Sequence, residues 1–464
     1  MKTVQITRPY DGSLIKEIPL HDTAAVEQAL TLAYGAFQDR SQWLPAHQRL
    51  SILEKVVEIM SGQIEELTRI ATEEGGKPYA DSKVEVLRAI NGVKLSIEHL
   101  AQIKGEQIPM GQTASSVNRL AFTMREPIGV VSSISAFNHP LNLIIHQTIP
   151  AIAVGSPVII KPALTTPLSC LKFMEILAEA GLPAAWCQCL VCDNEGAEML
   201  VTDERVNYLS FIGSAGVGWM LRSKLSPGTR CSLEHGGAAP VIVEADADFE
   251  TMLDSLLKGG FYHAGQVCVS VQRVFVHASI CDAVAEQLAA KASKLIVGDP
   301  LDEKTEVGPL ILSREVDRVE EWVEEARDQG ATVLCGGHRI SDTCYAPTVL
   351  LNPAENSKVS QMEIFGPVVC IYSYTDRHAA ITKANALPYA FQASVFTKDI
   401  DTALDTINRL NATAVMVNDH TAFRVDWMPF GGRDVSGIGM GGIQYSMHEM
   451  TREKMFVIKS AVLF

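Results

Sequence analysis

The feature that most constrains this chain is a regular alternation of short apolar strands and helices that begins after Gly129. The strand-like stretches VVSSISAF and VGSPVIIKP precede LSCLKFMEILAEAG, in which apolar residues recur at helical spacing. The strands CQCLVC and YLSFIG follow, and the second half continues in the same style, with helices expected over 249–257, 279–294 and 313–329. Strands that alternate with helices through short connections predict parallel sheets covered by helices. The predicted fold class is therefore α/β, with two parallel-sheet domains.

The two ends of the chain lie outside this alternation. Helical spacing predicts helices over 46–72 and about 83–103. The last residues, FVIKSAVLF (456–464), read as a strand for which the neighbouring sequence offers no pairing partner. Because an unpaired edge strand is a template for another chain, we expect this segment to pair with a partner subunit.

Charge and composition narrow the class of protein. The 464 residues carry a formal net charge of −15, whereas a nucleic-acid binder would show a basic face. The longest apolar stretch, 141–160, is interrupted by His146, Gln147 and Pro150, which argues against a membrane span. The first residues lack the apolar region of a secretory signal, and ten cysteines without an export signal indicate a reducing compartment. We expect a cytoplasmic protein without nucleic-acid or membrane partners.

A cluster of three cysteines raises the question of a metal site. Cys187, Cys189 and Cys192 have no second ligand pair, such as another C-x-x-C, to complete one. Their apolar neighbours are typical of a strand with buried thiols. We therefore predict no metal site.

Five segments contain the candidate functional residues: SAFNHP (135–140), FIGSAGVG (211–218), SLEHGG (232–237), GQVCVS (265–270) and EIFGPVV (363–369). Each alone is a weak signal. A lone cysteine such as Cys268 is more often a small buried hydrophobe than a nucleophile. Glu234 alone reads as a cap or an ion-pair member, and Asn138 reads as a turn residue. No G-x-G-x-x-G occurs in a strand–helix context, so an ordinary Rossmann phosphate loop is not indicated.

The order of the segments changes their interpretation. From about residue 5 to the C-terminus, the chain resembles the aldehyde dehydrogenase superfamily. The motifs of that family have counterparts here, in order, in FNHP, KPALTTP (161–167), FIGSAGVG, LEHGG, GQVC, EIFGP and PFGG (429–432). The separation of Glu234 from Cys268, 268 − 234 = 34 residues, also matches the family.

The resemblance implies a chemistry that requires these residue types. An aldehyde must first become a tetrahedral adduct, and the thiolate of Cys268 is the implied nucleophile. The side-chain amide of Asn138 and the backbone N–H of Cys268 are implied to stabilise the oxyanion of that adduct. Glu234 is the implied general base that activates water against the resulting thioester. Alternatives are a CoA-acylating or acyl-reducing relative, although those branches generally lack the glutamate, and a non-catalytic structural or binding protein with this fold.

The resemblance also implies a nicotinamide cofactor, NAD or NADP. Its expected contacts are Lys161 at the adenosine ribose, Gly213 and Ser214 at the pyrophosphate, Val217 at the adenine, and Glu363 and Phe365 at the nicotinamide ribose. Relatives strict for NAD commonly have an acid three residues after the lysine, where it repels a 2′-phosphate. That position is Leu164 here, so we expect both cofactors to work, with a mild preference for NADP.

Domain boundaries follow from combining the alternation with the resemblance. The cofactor-binding domain is expected over 1–105 and 128–236, and the catalytic domain over 237–436. Residues 106–127 and 446–464 are expected to form a small β extension for oligomerisation, which makes the protein a homodimer or a homotetramer.

The substrate is expected to be a small aldehyde. Arg88, His139, His263 and Arg424 lie in or near segments that border the substrate tunnel in relatives, and arginine suits carboxylate or phosphate. The branch that the chain resembles includes relatives acting on lactaldehyde, glyceraldehyde 3-phosphate and phosphonoacetaldehyde, and the sequence does not choose among them. A short anionic aldehyde is predicted. The alternative for Arg88 is an ion pair with Glu85 or another surface acid.

Three departures from the family pattern stand out. His235 replaces a usual leucine, and Ala238 replaces a frequent lysine. Met440 and Gly441 stand where many relatives have Arg-Glu, and in some of them that acid supports a proton path to the general base. The route of the proton is therefore the part of the chemistry most affected.

Overall fold

The computed structural model describes residues 2–463. The helices in the described residues are α1 Thr23–Gln38, α2 Ala46–Gly62, α3 Ile64–Gly75, α4 Tyr79–Leu100, α5 Asn142–Val154, α6 Leu168–Glu179, α7 Asn194–Thr202, α8 Ala215–Ser223, α9 Phe249–Phe261, α10 Cys281–Ala292, α11 Ser313–Asp328, α12 Lys358–Gln361, α13 Arg377–Ala384, α14 Ile400–Arg409 and α15 Ile443–Glu449. The strands are β1 Thr3–Thr7, β2 Leu14–Pro19, β3 Gln107–Ile108, β4 Arg119–Pro127, β5 Val130–Ile134, β6 Val158–Lys161, β7 Cys187–Cys189, β8 Val206–Ile212, β9 Arg230–Glu234, β10 Ala239–Val243, β11 Val271–His277, β12 Thr332–Cys335, β13 Thr348–Leu351, β14 Val368–Tyr374, β15 Tyr389–Ala390, β16 Gln392–Phe396, β17 Ala414–Val417, β18 Arg433–Asp434, β19 Gly437–Ile438 and β20 Thr451–Lys459.

Two large sheets organise the molecule. The first has the order β19-β9-β8-β5-β6-β7, and the second has the order β12-β13-β14-β11-β10-β16-β17. All pairings within them are parallel except β19 with β9 and β12 with β13. Every residue of β5 and β6 is buried, as expected for strands covered by helices on both faces. The predicted α/β class is confirmed, and an antiparallel edge strand in each sheet is the only departure from parallel pairing.

The strand order brings the candidate residues together. Asn138, Lys161, Gly213 and Glu234 lie at or just after the ends of β5, β6, β8 and β9, which are neighbours in the first sheet. The carboxyl ends of parallel strands meet at one edge, where α/β sheets bind ligands. Cys268 precedes β11 in the adjoining second sheet. The site therefore lies between the carboxyl edge of one sheet and the amino edge of the other.

The helix predicted over 46–72 is wrong as a single element. The chain forms α2 and α3, and the backbone leaves the helical region at Gln63, with φ −120° and ψ 22°. Gly62 precedes this break, and glycine is among the weakest helix formers. Glu65 and Glu66 then lie in the first turn of α3, where acidic side chains are favourable. The apolar spacing persists across the break, which explains why the pattern alone does not reveal it.

The neighbouring sequence supplies no partner for the C-terminal strand, but a distant segment of the same chain does. Pairing of this strand with another subunit stays a prediction. β20 begins at Thr451 and pairs antiparallel with β4 along its length, from Thr451 opposite Pro127 to Lys459 opposite Arg119. Phe122 and Phe456 stack across this pairing, with their ring centroids 5.2 Å apart. β3 completes a three-stranded sheet in which β20 is an edge strand. The pairing was missed because its two strands are far apart in sequence.

None of the helices between residues 2 and 463 is long and apolar enough to span a membrane.

Candidate active site

A cavity of about 630 Å³ lies between the two sheets. Its wall includes each residue proposed from the sequence for chemistry, cofactor or substrate: Cys268, Glu234, Asn138, Lys161, Leu164, Gly213, Ser214, Val217, Glu363, Phe365, Arg88, His139 and Arg424. His263 differs from that expectation, because it is fully buried behind the wall.

Cys268 follows an unusual turn. His263, Ala264 and Gly265 all have positive φ, at 49°, 53° and 71°. A Cβ at Gly265 would lie 2.1 Å from the carbonyl oxygen of Gly366, so only glycine fits there without a shift of the backbone. The turn directs the chain into the cavity wall at Cys268. Burial raises the pKa of the Cys268 thiol to about 12, and the Arg424 guanidinium opposes that shift. The thiol therefore needs a proton acceptor before it can act as a nucleophile.

Asn138 is tied to the segment that carries the thiol. Its Nδ2 donates a hydrogen bond of 2.9 Å to the carbonyl oxygen of Gln266. The Gln266 side chain in turn donates to the carbonyl oxygen of Pro309 and accepts from the backbone N–H of Ile311. An amide nitrogen has two hydrogens, so Asn138 keeps one for an oxyanion. This arrangement fixes the distance between the amide and the cysteine.

Glu234, at the end of β9, lies against Gly441. A Cβ at Gly441 would be 2.1 Å from Oε1 of Glu234. Because Gly441 has no side chain, the Glu234 carboxylate fits beside it. Burial raises the pKa of Glu234, and Arg424 opposes the shift. A raised pKa makes the carboxylate a better proton acceptor near neutral pH.

One end of the cavity has groups suited to a dinucleotide. Lys161 is buried at the end of β6, and Ser214 lies at the N-cap of α8 with no capping hydrogen bond from its side chain. A helix N-terminus favours phosphate because its backbone N–H groups are unpaired. Oε1 of Glu363 accepts a 3.2 Å hydrogen bond from the backbone N–H of Gly237, and burial raises the pKa of Glu363 to about 8. These donors and acceptors fit a nicotinamide dinucleotide.

The His235 departure has a structural explanation. A Cβ at Gly218 would lie 2.0 Å from Nε2 of His235, so Gly218 makes room for the larger ring. The ring packs edge-on against Phe211 and Trp219, and its Nδ1 contacts the carbonyl oxygen of Val435 at 2.9 Å. His235 therefore supports the wall behind α8. Nothing in the structure explains Ala238.

Two arginines line the opposite end of the cavity in different states. Arg88 donates to both carboxylate oxygens of Asp426, at 3.1 and 2.7 Å. The Arg424 guanidinium lies 3.6 Å from the ring centroid of Phe430, and its Nε is buried with no hydrogen-bond partner in the described part of the chain. Its Nη2 lies 3.5 Å from Nδ1 of His146. Arg88 is thus paired with an acid, whereas Arg424 forms no salt bridge in the described part of the chain and interacts with Glu234 only through its charge.

Sequence reasoning missed several residues around the cavity. Lys77 and Glu85 form a buried ion pair next to His139, and Asp426 accepts from Arg88 and contacts Nε2 of His146 at 2.8 Å. Asp426 lies two residues after Arg424, so the segment FRVD (423–426) already contained it beside a candidate residue. Nothing in the sequence signals the role of Lys77, because His139 is 62 residues away and the nearby Glu85 is one of many acids in that region.

Comparisons with known proteins show the family to which the chain belongs. The model of the aldehyde dehydrogenase family matches residues 1–456. The chain is 38% identical over 456 residues to 3-sulfolactaldehyde dehydrogenase of Priestia megaterium, which covers 98% of this chain and 94% of that protein. Among solved structures, aldehyde dehydrogenase 21 from Physcomitrella patens, in complex with the reaction product succinate, superposes with a TM-score of 0.95 at 35% identity, covering 99% of this chain and 96% of that one.

A second solved structure holds the cofactor. Glyceraldehyde-3-phosphate dehydrogenase from Methanocaldococcus jannaschii, complexed with NADP, superposes with a TM-score of 0.94 at 35% identity, covering 99% of this chain and 100% of that one. The match runs through both sheets and all the motif segments. The chain therefore belongs to the aldehyde dehydrogenase family, and it is an NAD(P)-dependent oxidoreductase that acts on an aldehyde.

Proposed function

We propose that this enzyme oxidises a short aldehyde with an anionic tail to the corresponding carboxylic acid. The observation that carries the proposal is Arg424, whose guanidinium lines the cavity with its Nε unpaired. An arginine that lacks a protein carboxylate retains donors for a carboxylate, sulfonate or phosphate. Arg88 is the weaker candidate for this contact, since Asp426 already occupies two of its donors.

The chemistry begins at Cys268. The thiol first loses its proton to solvent, and its Sγ then attacks the aldehyde carbon. As the C–S bond forms, the π bond of the carbonyl breaks and leaves negative charge on the aldehyde oxygen. The free hydrogen of the Asn138 amide and the backbone N–H of Cys268 stabilise this oxyanion. The nicotinamide, when bound, accepts the hydride from the same carbon. The carbonyl re-forms as a thioester to Cys268.

Glu234 completes the turnover. Its carboxylate takes a proton from water, the hydroxide adds to the thioester carbon, and the C–S bond breaks to release the acid. Burial raises the pKa of Glu234 and the charge of Arg424 opposes that shift, so Arg424 favours the carboxylate form that this step needs. The presence of Glu234 at the cavity also argues against the CoA-acylating and acyl-reducing alternatives. Glu234, Cys268 and Asn138 line the same cavity, which argues against a non-catalytic protein.

The roles at the cofactor end follow the same logic. Lys161 is assigned to the adenosine ribose, Gly213 and Ser214 to the pyrophosphate, and Val217 to the adenine. Glu363 and Phe365 are assigned to the nicotinamide ribose. Leu164 supplies no charge to repel a 2′-phosphate, which supports use of both NAD and NADP with a mild preference for NADP.

Assembly is proposed to use the small sheet. β20 is an edge strand of that sheet, and Met455, Val457 and Ile458 are exposed large hydrophobic residues on it. Such an edge is a template for a further strand or sheet face. We propose that 106–127 and 446–464 form the oligomerisation extension of a homodimer or homotetramer, beside a cofactor-binding domain over 1–105 and 128–236 and a catalytic domain over 237–436.

A matched pair of aldehydes tests the proposed substrate class. Succinic semialdehyde and butanal have the same carbon chain but differ in the terminal carboxylate. Reduced cofactor is followed with each aldehyde, using NAD and NADP in turn. A hydrogen-bonded charge pair favours the anionic substrate by about 10-fold to 100-fold in kcat/KM. Equal values for the two aldehydes would contradict the anionic tail, and no reduction with any aldehyde of a broad panel would contradict the enzymatic function.

A further inference from the structure

A buried charged cluster lies directly behind the substrate end of the cavity. Lys77, between α3 and α4, is 1% exposed, and its Nζ donates to Oε2 of Glu85 at 2.5 Å. The same Nζ lies 2.5 Å from Nδ1 of His139. Oε1 of Glu85 accepts from the backbone N–H groups of Leu141 and Asn142, at 2.9 and 3.0 Å. Both members of this ion pair therefore hold the loop that carries Asn138 and His139.

The contact with Lys77 decides which nitrogen of His139 carries the proton. An ammonium group has donors and no acceptor, so Nδ1 must accept the hydrogen bond. A neutral ring then has its proton on Nε2. The ring lines the cavity, and its Nδ1 is the nitrogen turned toward the protein. His139 therefore offers an Nε2–H donor to whatever occupies the cavity.

The surroundings also determine the charge of the ring. Glu85 and Arg88 face His139 from α4, Lys77 faces it from the preceding loop, and Tyr262 and His263 face it from the segment after α9. Burial and the charge of Lys77 lower the pKa of His139 to about 4, with Glu85 opposing. Glu85 is the one acid in this set, and Lys77 already neutralises it. The ring is neutral at physiological pH.

We propose that Lys77 and Glu85 are positioning residues that present His139 to the substrate as a neutral Nε2–H donor, which binds an oxygen acceptor on the tail of the aldehyde. The identity of that acceptor rests on the proposed function, since a hydroxyl or an anionic oxygen is required. A neutral donor in the same cavity as the cationic Arg424 binds the tail without a change of strength as pH varies from 5.5 to 8. Without Lys77, the Glu85 carboxylate would act on His139 unopposed, and the pKa of the ring would rise although burial still holds it down.

Nitrogen-15 NMR of selectively labelled histidine tests the proton position without any assay of activity. The His139 signals are assigned as those that vanish in His139→Gln. In the wild-type enzyme we expect the pattern of a neutral ring protonated on Nε2, unchanged from pH 5.5 to 8. In Lys77→Met we expect the pKa of the ring to rise, so that the same signals move toward the protonated pattern at the acid end of this range. A proton on Nδ1, or a wild-type titration within that range, would overturn the proposal, and the wild-type spectrum decides this even if Lys77→Met fails to fold.

Kinetics tests the role toward substrate. His139→Gln is expected to raise KM for succinic semialdehyde about tenfold and to leave KM for butanal unchanged. In Lys77→Met, KM for succinic semialdehyde is expected to rise on the order of tenfold as pH increases through the new pKa of His139, because the attraction of the cationic ring is lost. The double variant Lys77→Met with His139→Gln is expected to lose that pH dependence, whereas a merely structural role of Lys77 would lower kcat at every pH. A pH dependence that persists in the double variant would contradict the role of His139. If no anionic aldehyde is oxidised, the proposed function fails while the NMR result stands separately.

Discussion

Gly441 provides a direct perturbation of the general base. In Gly441→Ala the new Cβ would lie 2.1 Å from Oε1 of Glu234, whereas ordinary contacts are 3.4 Å or longer. The carboxylate must therefore move by about 3.4 − 2.1 = 1.3 Å. A displacement of about 1 Å can cost on the order of 100-fold in rate. We expect Gly441→Ala to slow thioester hydrolysis by about 10-fold to 100-fold. Hydride transfer is expected to keep its rate, because it precedes the step that uses the displaced base.

Stopped-flow measurement of reduced cofactor separates the two steps. Gly441→Ala is expected to retain a burst close to one cofactor per active site, followed by a slow steady rate. The Cβ would also lie 2.8 Å from the carbonyl oxygen of Phe430, so a control for backbone strain is needed. Gly431→Ala is a matched control, because its Cβ would lie 2.8 Å from the carbonyl oxygen of Gly439 but does not approach Glu234.

The reasoning is refuted if Gly441→Ala turns over at the wild-type rate. It is also refuted if Gly431→Ala slows the steady rate as much, because strain rather than the base would then be the cause. In a Glu234→Ala background, Gly441→Ala is expected to add no further loss. An additional loss there would show that Gly441 acts on something other than Glu234.

Three other outcomes are expected. The steady rate should fall as pH drops through the raised pKa of Glu234, since the carboxylate is the active form. Glu234→Gln should slow turnover after a burst and remove this fall in rate at acid pH. A Glu234→Gln profile that keeps the fall would count against the assignment. Arg424→Met should raise KM for succinic semialdehyde about 10-fold to 100-fold with little change in KM for butanal, while kcat falls for both because Arg424 favours the ionised forms of Cys268 and Glu234; an equal rise in KM for both aldehydes would contradict its contact with the anionic tail. Arg88→Ala should chiefly lower the unfolding temperature. Leu164→Glu should shift kcat/KM toward NAD by repelling the 2′-phosphate, and a wild-type enzyme that already excludes NADP would disprove the interpretation of Leu164.

Local sequence patterns predicted the features that depend on a single strand or a single loop. The alternation after Gly129 predicted the parallel pairings, and the segments that carry Asn138 and Glu234 follow strands that the sheet places side by side. Cys268 was identified from a short motif, and it lies in the wall of the cavity between the two sheets. These features depend on residues close together in sequence.

Features that depend on distant residues were missed. β20 pairs with β4, and Arg88 pairs with Asp426, across several hundred residues of chain. The contact of Lys77 with His139 is of the same kind, since neither residue type nor spacing indicates it. The break at Gln63 was missed for another reason, because two helices with apolar faces in register have the same periodicity as one.

The central claim is that Cys268 carries an acyl group which Glu234 helps to hydrolyse. Mass spectrometry of peptides from Glu234→Gln, quenched after mixing with succinic semialdehyde and oxidised cofactor, tests it most directly. We predict a succinyl group on the peptide containing Cys268, formed only with cofactor present, and absent in Cys268→Ala. Cofactor reduction without acylation of Cys268, or an acyl group on another of the ten cysteines, would contradict the account.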